Sequence, residues 1–283
     1  MAADGISGEM MKVGLIGCGA IGTALARMIE AGEAGDVEVV WVYDLRRDCS
    51  QRLASGLSSR PKILNDAAEI YRDRSAELVV EAASQGAVRD YSLGIISSGK
   101  DLLILSVGAL SDKNFLDELW AEARRLGRKI YIPSGAVIGI DGVKSLSLRK
   151  VQEVRLITRK PPSAFRGNEY LKKKKIKLTG LRAPKTIFTG PAREAVKAFP
   201  ASVNVAATLS LAGVGFDRTM VTIIADPRIR RNIHEIRARG ESGELIAKSI
   251  NVPFPESPRT SYLAALSAAR TLRNLGETVK VGT

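Results

Sequence analysis

Between a short apolar run, Lys12 to Ile16, and a helical pattern, Thr23 to Ala31, the chain carries Gly17-Cys18-Gly19-Ala20-Ile21-Gly22. Alone, the spacing G-x-G-x-x-G is a weak signal, because glycines also gather in ordinary turns. Between a buried-type strand and the start of a helix it constrains the backbone far more tightly. The first glycine makes a tight turn, the second lets the backbone approach a pyrophosphate, and the third permits close helix–strand packing. Gly32 stops the helix, and a second apolar run, Val37 to Tyr43, ends at Asp44, where a carboxylate accepts hydrogen bonds from an adenosine ribose. Gly17, Gly19, Gly22 and Asp44 are therefore expected dinucleotide contacts, with Ala20 and Ile21 adding N–H groups at the helix N-terminus. Asp44 favours NAD, since a carboxylate repels a 2′-phosphate. Arg46 and Arg47 follow directly and either accommodate that phosphate or are solvated loop residues. The expected cofactor is NAD or NADP, with NAD slightly preferred. Cys18, inside the loop, is expected to behave as a small apolar residue.

Further apolar runs, Glu77 to Ala82, Leu102 to Val107 and Lys129 to Ile132, alternate with helical stretches. That rhythm implies right-handed β-α-β units and a parallel sheet. It changes at Pro133. Val151–Thr158, Lys185–Thr189 and Met220–Ala225 read as longer, more exposed strands, interrupted by one helix from Gly190-Pro191-Ala192 through Leu211. A last, alanine-rich helix is expected over Arg259 to Leu275. The fold class expected is α/β. An N-terminal Rossmann domain with a doubly wound parallel sheet spans 11–133, and an α+β substrate and dimerisation domain spans 134–256. A C-terminal helix in 257–283 packs back on the first domain.

Composition narrows the functional classes. At 283 residues two domains are a fair expectation. Two cysteines, Cys18 and Cys49, are too few for a disulfide framework, and one histidine with no CxxC or HExxH pattern leaves no metal site to expect. No apolar run reaches the ~18 residues of a membrane span, and MAADGISGEM has neither the basic nor the apolar region of a secretion signal. A cytoplasmic protein is expected. The net charge of +13 raises nucleic acid, anionic lipid or acidic small molecules as partners, but 5% aromatic content weakens the case for base stacking.

The single histidine, His234, sits in Ala225-Asp226-Pro227 … Asn232-Ile233-His234-Glu235-Ile236, after a strand and a turn. A lone histidine is commonly a surface or core residue, yet imidazole is also the natural general acid/base at neutral pH. Asn204, among small apolar neighbours, is either on a helix surface or an inward hydrogen-bonding group suited to a nicotinamide carboxamide. Ser134-Gly135-Ala136 either lets a flat ring sit against the backbone or simply packs tightly.

Together these stretches resemble the archaeal and bacterial L-aspartate dehydrogenases. The resemblance covers Gly14–Gly22, Ser106–Leu110, Ile132–Ala136, Phe199–Leu211, Ile224–Ile236 and Thr260–Ala269. It implies a homodimer that uses NAD or NADP to oxidise L-aspartate. The iminoaspartate formed either enters NAD biosynthesis or hydrolyses to oxaloacetate and ammonia. It also implies that His234 is the active-site histidine, acting on the ammonium proton or on the water that attacks the imine, and that Ala136 and Asn204 contact the nicotinamide. Two substrate carboxylates need cationic or hydrogen-bonding partners, for which Thr158-Arg159-Lys160 is the first choice and Thr260 with Ser261, at the start of the last helix, another; N-capping explains that pair equally well. Another two-domain reductase, such as a dihydrodipicolinate reductase or homoserine dehydrogenase, is the nearest alternative. A nucleotide-sensing or nucleic-acid-binding protein is the second.

The excess charge is local. Residues 159–185 hold ten basic side chains against one acid, Glu169. A solvated mobile loop is the simplest account, and steering of a dicarboxylate and a dinucleotide by Lys172–Lys175 is the sharper one.

Overall fold

The computed structural model describes residues 10–200, 203–254 and 257–282, with 257–260 described at the backbone only. Two compact units emerge. The first comprises the chain up to Ala109 with Lys113–Pro133 and Ala265–Lys280, and the second comprises Leu110–Asp112 and Ser134–Ala264.

The first unit is built on six parallel strands: β1 (Met11–Ile16), β2 (Val37–Tyr43), β3 (Lys62–Ile63), β4 (Leu78–Glu81), β5 (Asp101–Ile104) and β6 (Ile130–Tyr131), ordered 3-2-1-4-5-6. This is the Rossmann order, with the reversal between β1 and β4 where such sheets bind ligands. Val13, Leu15, Leu78 to Val80 and Leu102 to Ile104 are buried, as strands covered on both faces require. Helices α1 (Ala20–Glu30), α2 (Arg47–Ser55), α3 (Ala67–Arg72), α4 (Gln85–Ser97) and α5 (Lys113–Leu126) alternate with them. Helix α1 buries Leu25, Met28 and Ile29, each worth ~1.5–3 kcal/mol, and ends where Gly32 takes φ +76°.

The second unit holds a mixed sheet. Its elements are α6 (Ile140–Leu146), β7 (Val151–Lys160), α7 (Glu169–Lys173), β8 (Lys185–Pro191), α8 (Ala192–Ala198), α9 (Asn204–Ala212), β9 (Thr219–Ala225), β10 (Asn232–Gly240) and β11 (Gly243–Asn251). Strand order is 11-10-7-9-8, and only the β7–β9 pair is parallel. A short pair, β12 (Pro253–Phe254) and β13 (Ser257–Ser261), leads to α10 (Tyr262–Gly276). From Ala265 onward α10 belongs to the first unit, where Ala265, Ala268, Ala269 and Leu272 are buried.

Four local expectations are corrected. The helix expected from Gly190 through Leu211 is two helices, because Pro200 disfavours helical geometry at Phe199, which adopts φ −135° and ψ 56°. Pro191 ends β8 and caps α8 instead of lying in a first helical turn. The last helix begins at Tyr262, and Arg259 to Ser261 are strand. The hairpin β10–β11 has no counterpart in the sequence expectation. Its inner face carries Asn232, His234, Ser249 and Asn251, so the apolar alternation that announces a strand is missing there.

The basic segment contains the short helix α7. Asn168 caps α7 by accepting from the Leu171 N–H at 3.0 Å, and its Nδ2 donates to the Ala198 carbonyl at 3.0 Å. Phe165 and Leu171 are buried and anchor the start of the segment, while Lys172 to Lys175 stay exposed to solvent.

Candidate active site

In the first unit the glycine loop has the geometry its spacing predicts. Gly17 takes φ +97°, and a β-carbon there would lie 2.7 Å from the Ala82 carbonyl carbon. A β-carbon on Gly22 would lie 1.8 Å from the Gly17 oxygen, whereas one on Gly19 would meet nothing within 4 Å. Two glycines are thus forced by packing, and the third leaves open space beside the backbone. No side chain caps α1, so the N–H groups of Ala20 and Ile21 remain available to an anion. Asp44 accepts from the Cys18 N–H at 2.8 Å and from the Arg46 N–H at 2.9 Å, which fixes its carboxylate at the loop. Cys18 is buried, and burial pushes its thiol up to about 11, which keeps it protonated.

Glu81, at the end of β4, escaped the sequence analysis. It is buried, and burial pushes its carboxyl upward. It accepts from the Ala83 and Ser84 N–H groups, the Ser106 N–H and the Ser106 hydroxyl at 2.8–2.9 Å. Those bonds join the β4–α4 and β5–α5 loops beside Gly17. The only signal in sequence was an acid closing an otherwise apolar strand.

In the second unit, alternation along β7 and β10 puts Thr158, Lys160, Asn232 and His234 on the buried sheet face with Val154, Leu156, Ile236 and Ala238. His234 Nδ1 and Thr158 Oγ1 are 2.9 Å apart. His234 is 3% exposed; burial, and secondarily the Lys160 charge, push its pKa down to about 3, so it is a neutral imidazole. Lys160 is 4% exposed, and burial pushes its pKa down to about 8. It has no hydrogen-bond or ion-pair partner among the described residues. A buried ammonium without a counter-ion is costly, which marks a site awaiting an anion.

Arg159 does not join this group. The alternation turns it to the opposite face, where it pairs with Asp226 at 4.0 Å, and Arg228 holds that carboxylate below its usual range. Ala136 does belong near it: its carbonyl accepts from Ser249 Oγ and Asn251 Nδ2, each at 2.9 Å, from the β11 strand beside β10. Ser249 and Asn251 were not singled out from sequence because isolated polar residues in an unrecognised strand give no pattern. Asn204 is the exposed first residue of α9, beside buried Val205 to Ala207; it is not an inward group of the helix interior. Thr260 lies in β13, and its side chain is outside the described residues. Among the described residues no group of three metal-binding side chains occurs.

Residues 141–275 match the family model "Aspartate dehydrogenase, C-terminal", and 17–133 match "Homoserine dehydrogenase, NAD binding domain". The chain is 46% identical to the L-aspartate dehydrogenase of Methanosarcina mazei over 97% of its own length and all of that protein. It is 40% identical to that of Methanocaldococcus jannaschii with the same coverage. The crystal structure of aspartate dehydrogenase from Thermotoga maritima superposes with a TM-score of 0.74 at 30% identity, covering 96% of this chain and 99% of the other. The half that carries His234 and Lys160 matches the aspartate model, which disfavours the reductase and nucleic-acid alternatives. The chain belongs to the L-aspartate dehydrogenase family.

Proposed function

We propose that this protein oxidises L-aspartate with NAD or NADP to iminoaspartate, which passes into NAD biosynthesis or hydrolyses to oxaloacetate and ammonia. The observation that carries this reading is the unpartnered Lys160 ammonium buried on the same sheet face as a neutral His234. A dicarboxylic amino acid supplies both things this face lacks, an anion and a proton to remove.

The loop of Gly17 to Gly22 with Asp44 fits the adenosine diphosphate half of the cofactor, and Ala136 and Asn204 are assigned to the nicotinamide half. When bound, the nicotinamide ring takes the hydride from Cα of the substrate. Lys160 binds one substrate carboxylate. Burial is the main cause of the depressed His234 pKa and the Lys160 charge the lesser one; the carboxylate offsets that charge, so the imidazole becomes a better base when substrate arrives. In the tautomer that does this chemistry, Nδ1–H donates to Thr158 Oγ1 and Nε2 accepts a proton from the substrate ammonium or from water attacking the imine. Of the three residues 158–160, Lys160 alone has no other partner to satisfy.

We assign a second copy of the chain to the open face of the second unit's sheet. Ile233 and Ile250 are cross-strand neighbours there, and Ile246 and Ile250 are 62% and 56% exposed. Among the described residues no helix is long and apolar enough to cross a membrane. A cytoplasmic location is part of the proposal.

A panel of L-amino acids assayed for NADH and NADPH formation tests the function. Aspartate alone should support turnover; activity confined to homoserine, or to reduction of a cyclic imine, would overturn it.

A further inference from the structure

A closed set of buried hydrogen bonds in the second unit lies outside the residues assigned to substrate. Ser249 Oγ and Asn251 Nδ2 each donate to the Ala136 carbonyl at 2.9 Å, and Asn251 Nδ2 also donates to Ser249 Oγ at 3.2 Å. The carboxamide nitrogen has two hydrogens and the hydroxyl one, so every donor is spent inside the triangle. Ser249, Asn251 and Ala136 are all buried, where such bonds face little competition from water. Both lone pairs of the Ala136 oxygen are thereby filled.

Strand register shows what the triangle is attached to. Ser249 stands opposite His234 across the β10–β11 ladder, and Asn251 stands opposite Asn232. On the other side of β10, His234 stands opposite Thr158. One row of the buried sheet face thus runs Thr158, His234, Ser249, and ends on the Ala136 carbonyl. Backbone ladders hold neighbouring strands ~4.8 Å apart, so rigid elements index the turn carrying Ala136 to the imidazole.

The turn itself leaves space beside its backbone. Gly135 takes φ +70°, and a β-carbon there would meet nothing within 4 Å, which argues against tight packing as the reason for its small residues. Among the described residues the Ala136 N–H has no hydrogen-bond partner. With the carbonyl saturated, this N–H is the group that Ala136 can offer to a carboxamide, as donor to its oxygen.

We propose that Ser249 and Asn251 are positioning residues: they hold the Ser134–Ala136 turn in register with His234, so that the nicotinamide contact and the base keep one fixed spacing. The proposal rests on the assignment of Ala136 to the nicotinamide half of the cofactor. Hydride transfer needs reacting atoms within ~3.5 Å, and a misplacement of about 1 Å costs on the order of 10²-fold in rate. Two side chains that touch neither reacting atom therefore govern turnover through the Ala136 carbonyl.

The test uses the full-length protein and compares NADH, followed by its fluorescence, with ADP-ribose, followed by calorimetry. ADP-ribose is the dinucleotide without its nicotinamide. Ser249→Ala and Asn251→Leu should each weaken NADH at least about fivefold and leave ADP-ribose within about twofold of the unaltered chain. Turnover of aspartate by each should fall at least about tenfold. Ser249→Thr keeps the hydroxyl on a residue suited to a strand and should hold NADH affinity within about twofold of the unaltered chain. Ser249→Ala is the milder change, and it keeps the proposal testable should Asn251→Leu disturb the hairpin. Equal weakening of both ligands by Ser249→Ala overturns the proposal, as does unchanged NADH affinity in that variant. So does a threonine variant as impaired as the alanine one. Neither binding measurement needs an amino acid, so a failure of aspartate to support turnover would defeat the proposed function and leave this test standing.

Discussion

His234 and Thr158 face each other in the antiparallel register of β10 and β7, with Nδ1 and Oγ1 2.9 Å apart and both side chains buried. Two strands remote in sequence thus fix the orientation of the only imidazole in the chain. As a positioning residue, Thr158 should be replaceable by Ser but not by Val. Thr158→Val should lower kcat with little change in KM for NAD, and Thr158→Ser should restore most of it. Equal kcat for the two variants would show that the hydroxyl has no part in orienting the ring.

His234→Ala should lose ~10²–10⁴-fold in turnover, the usual contribution of a positioned acid–base group. NADH affinity, measured by fluorescence, should stay within about twofold of the parent, since the glycine loop lies in the other unit. Retention of more than about a third of the turnover would remove His234 from the chemistry.

The Lys160 charge is present below a pKa of about 8 and lost above it. Succinate carries two carboxylates and no amine, so its competitive inhibition isolates this group from the substrate's own titration. Its Ki should rise about tenfold per pH unit above that pKa. Lys160→Arg, which stays charged, should flatten the profile. A flat profile in the unaltered enzyme would place the carboxylate elsewhere.

Burial of neutral His234 also has a stability signature. Its folded pKa of about 3 lies below the ordinary 6.5, so between those values the unfolded chain binds a proton that the native state does not. Stability is therefore lost as pH falls through 6.5, by about 2 kcal/mol at roughly pH 5. His234→Gln should show a smaller fall in Tm between neutral and mildly acidic buffer. An equal fall in both proteins would contradict a buried neutral imidazole.

Ile250→Lys puts a charge on the open sheet face assigned to a second copy. The unaltered chain should sediment as a dimer and the variant as a monomer with unchanged far-UV circular dichroism. A monomeric parent, or a variant that remains dimeric, would assign that face another role.

The glycine loop was legible because its constraints are local. A strand, three glycines and a helix start are contiguous; two of the glycines answer to a backbone contact within a few residues or on one neighbouring strand, and the third leaves open space beside the backbone. The alternation of strands and helices through Ile132 was legible for the same reason, since parallel strands buried on both faces read as apolar runs. His234 could be picked out as the single imidazole, and Lys160 as one of three adjacent candidates. The strand that carries His234 could not be seen, because polar groups occupy the very positions whose burial would have revealed a period of two.

What the sequence determined alone is the Rossmann unit, its dinucleotide loop and the concentration of charge in one segment: features set by neighbours along the chain. Tertiary structure decided the rest. Side-chain alternation in a paired sheet separated Lys160 from Arg159, register set Thr158 against His234, and burial left Lys160 without a counter-ion. Packing of Phe165 and Leu171 anchored the start of the basic segment. Each of these depends on contacts between residues distant in sequence, whose energies no local pattern records.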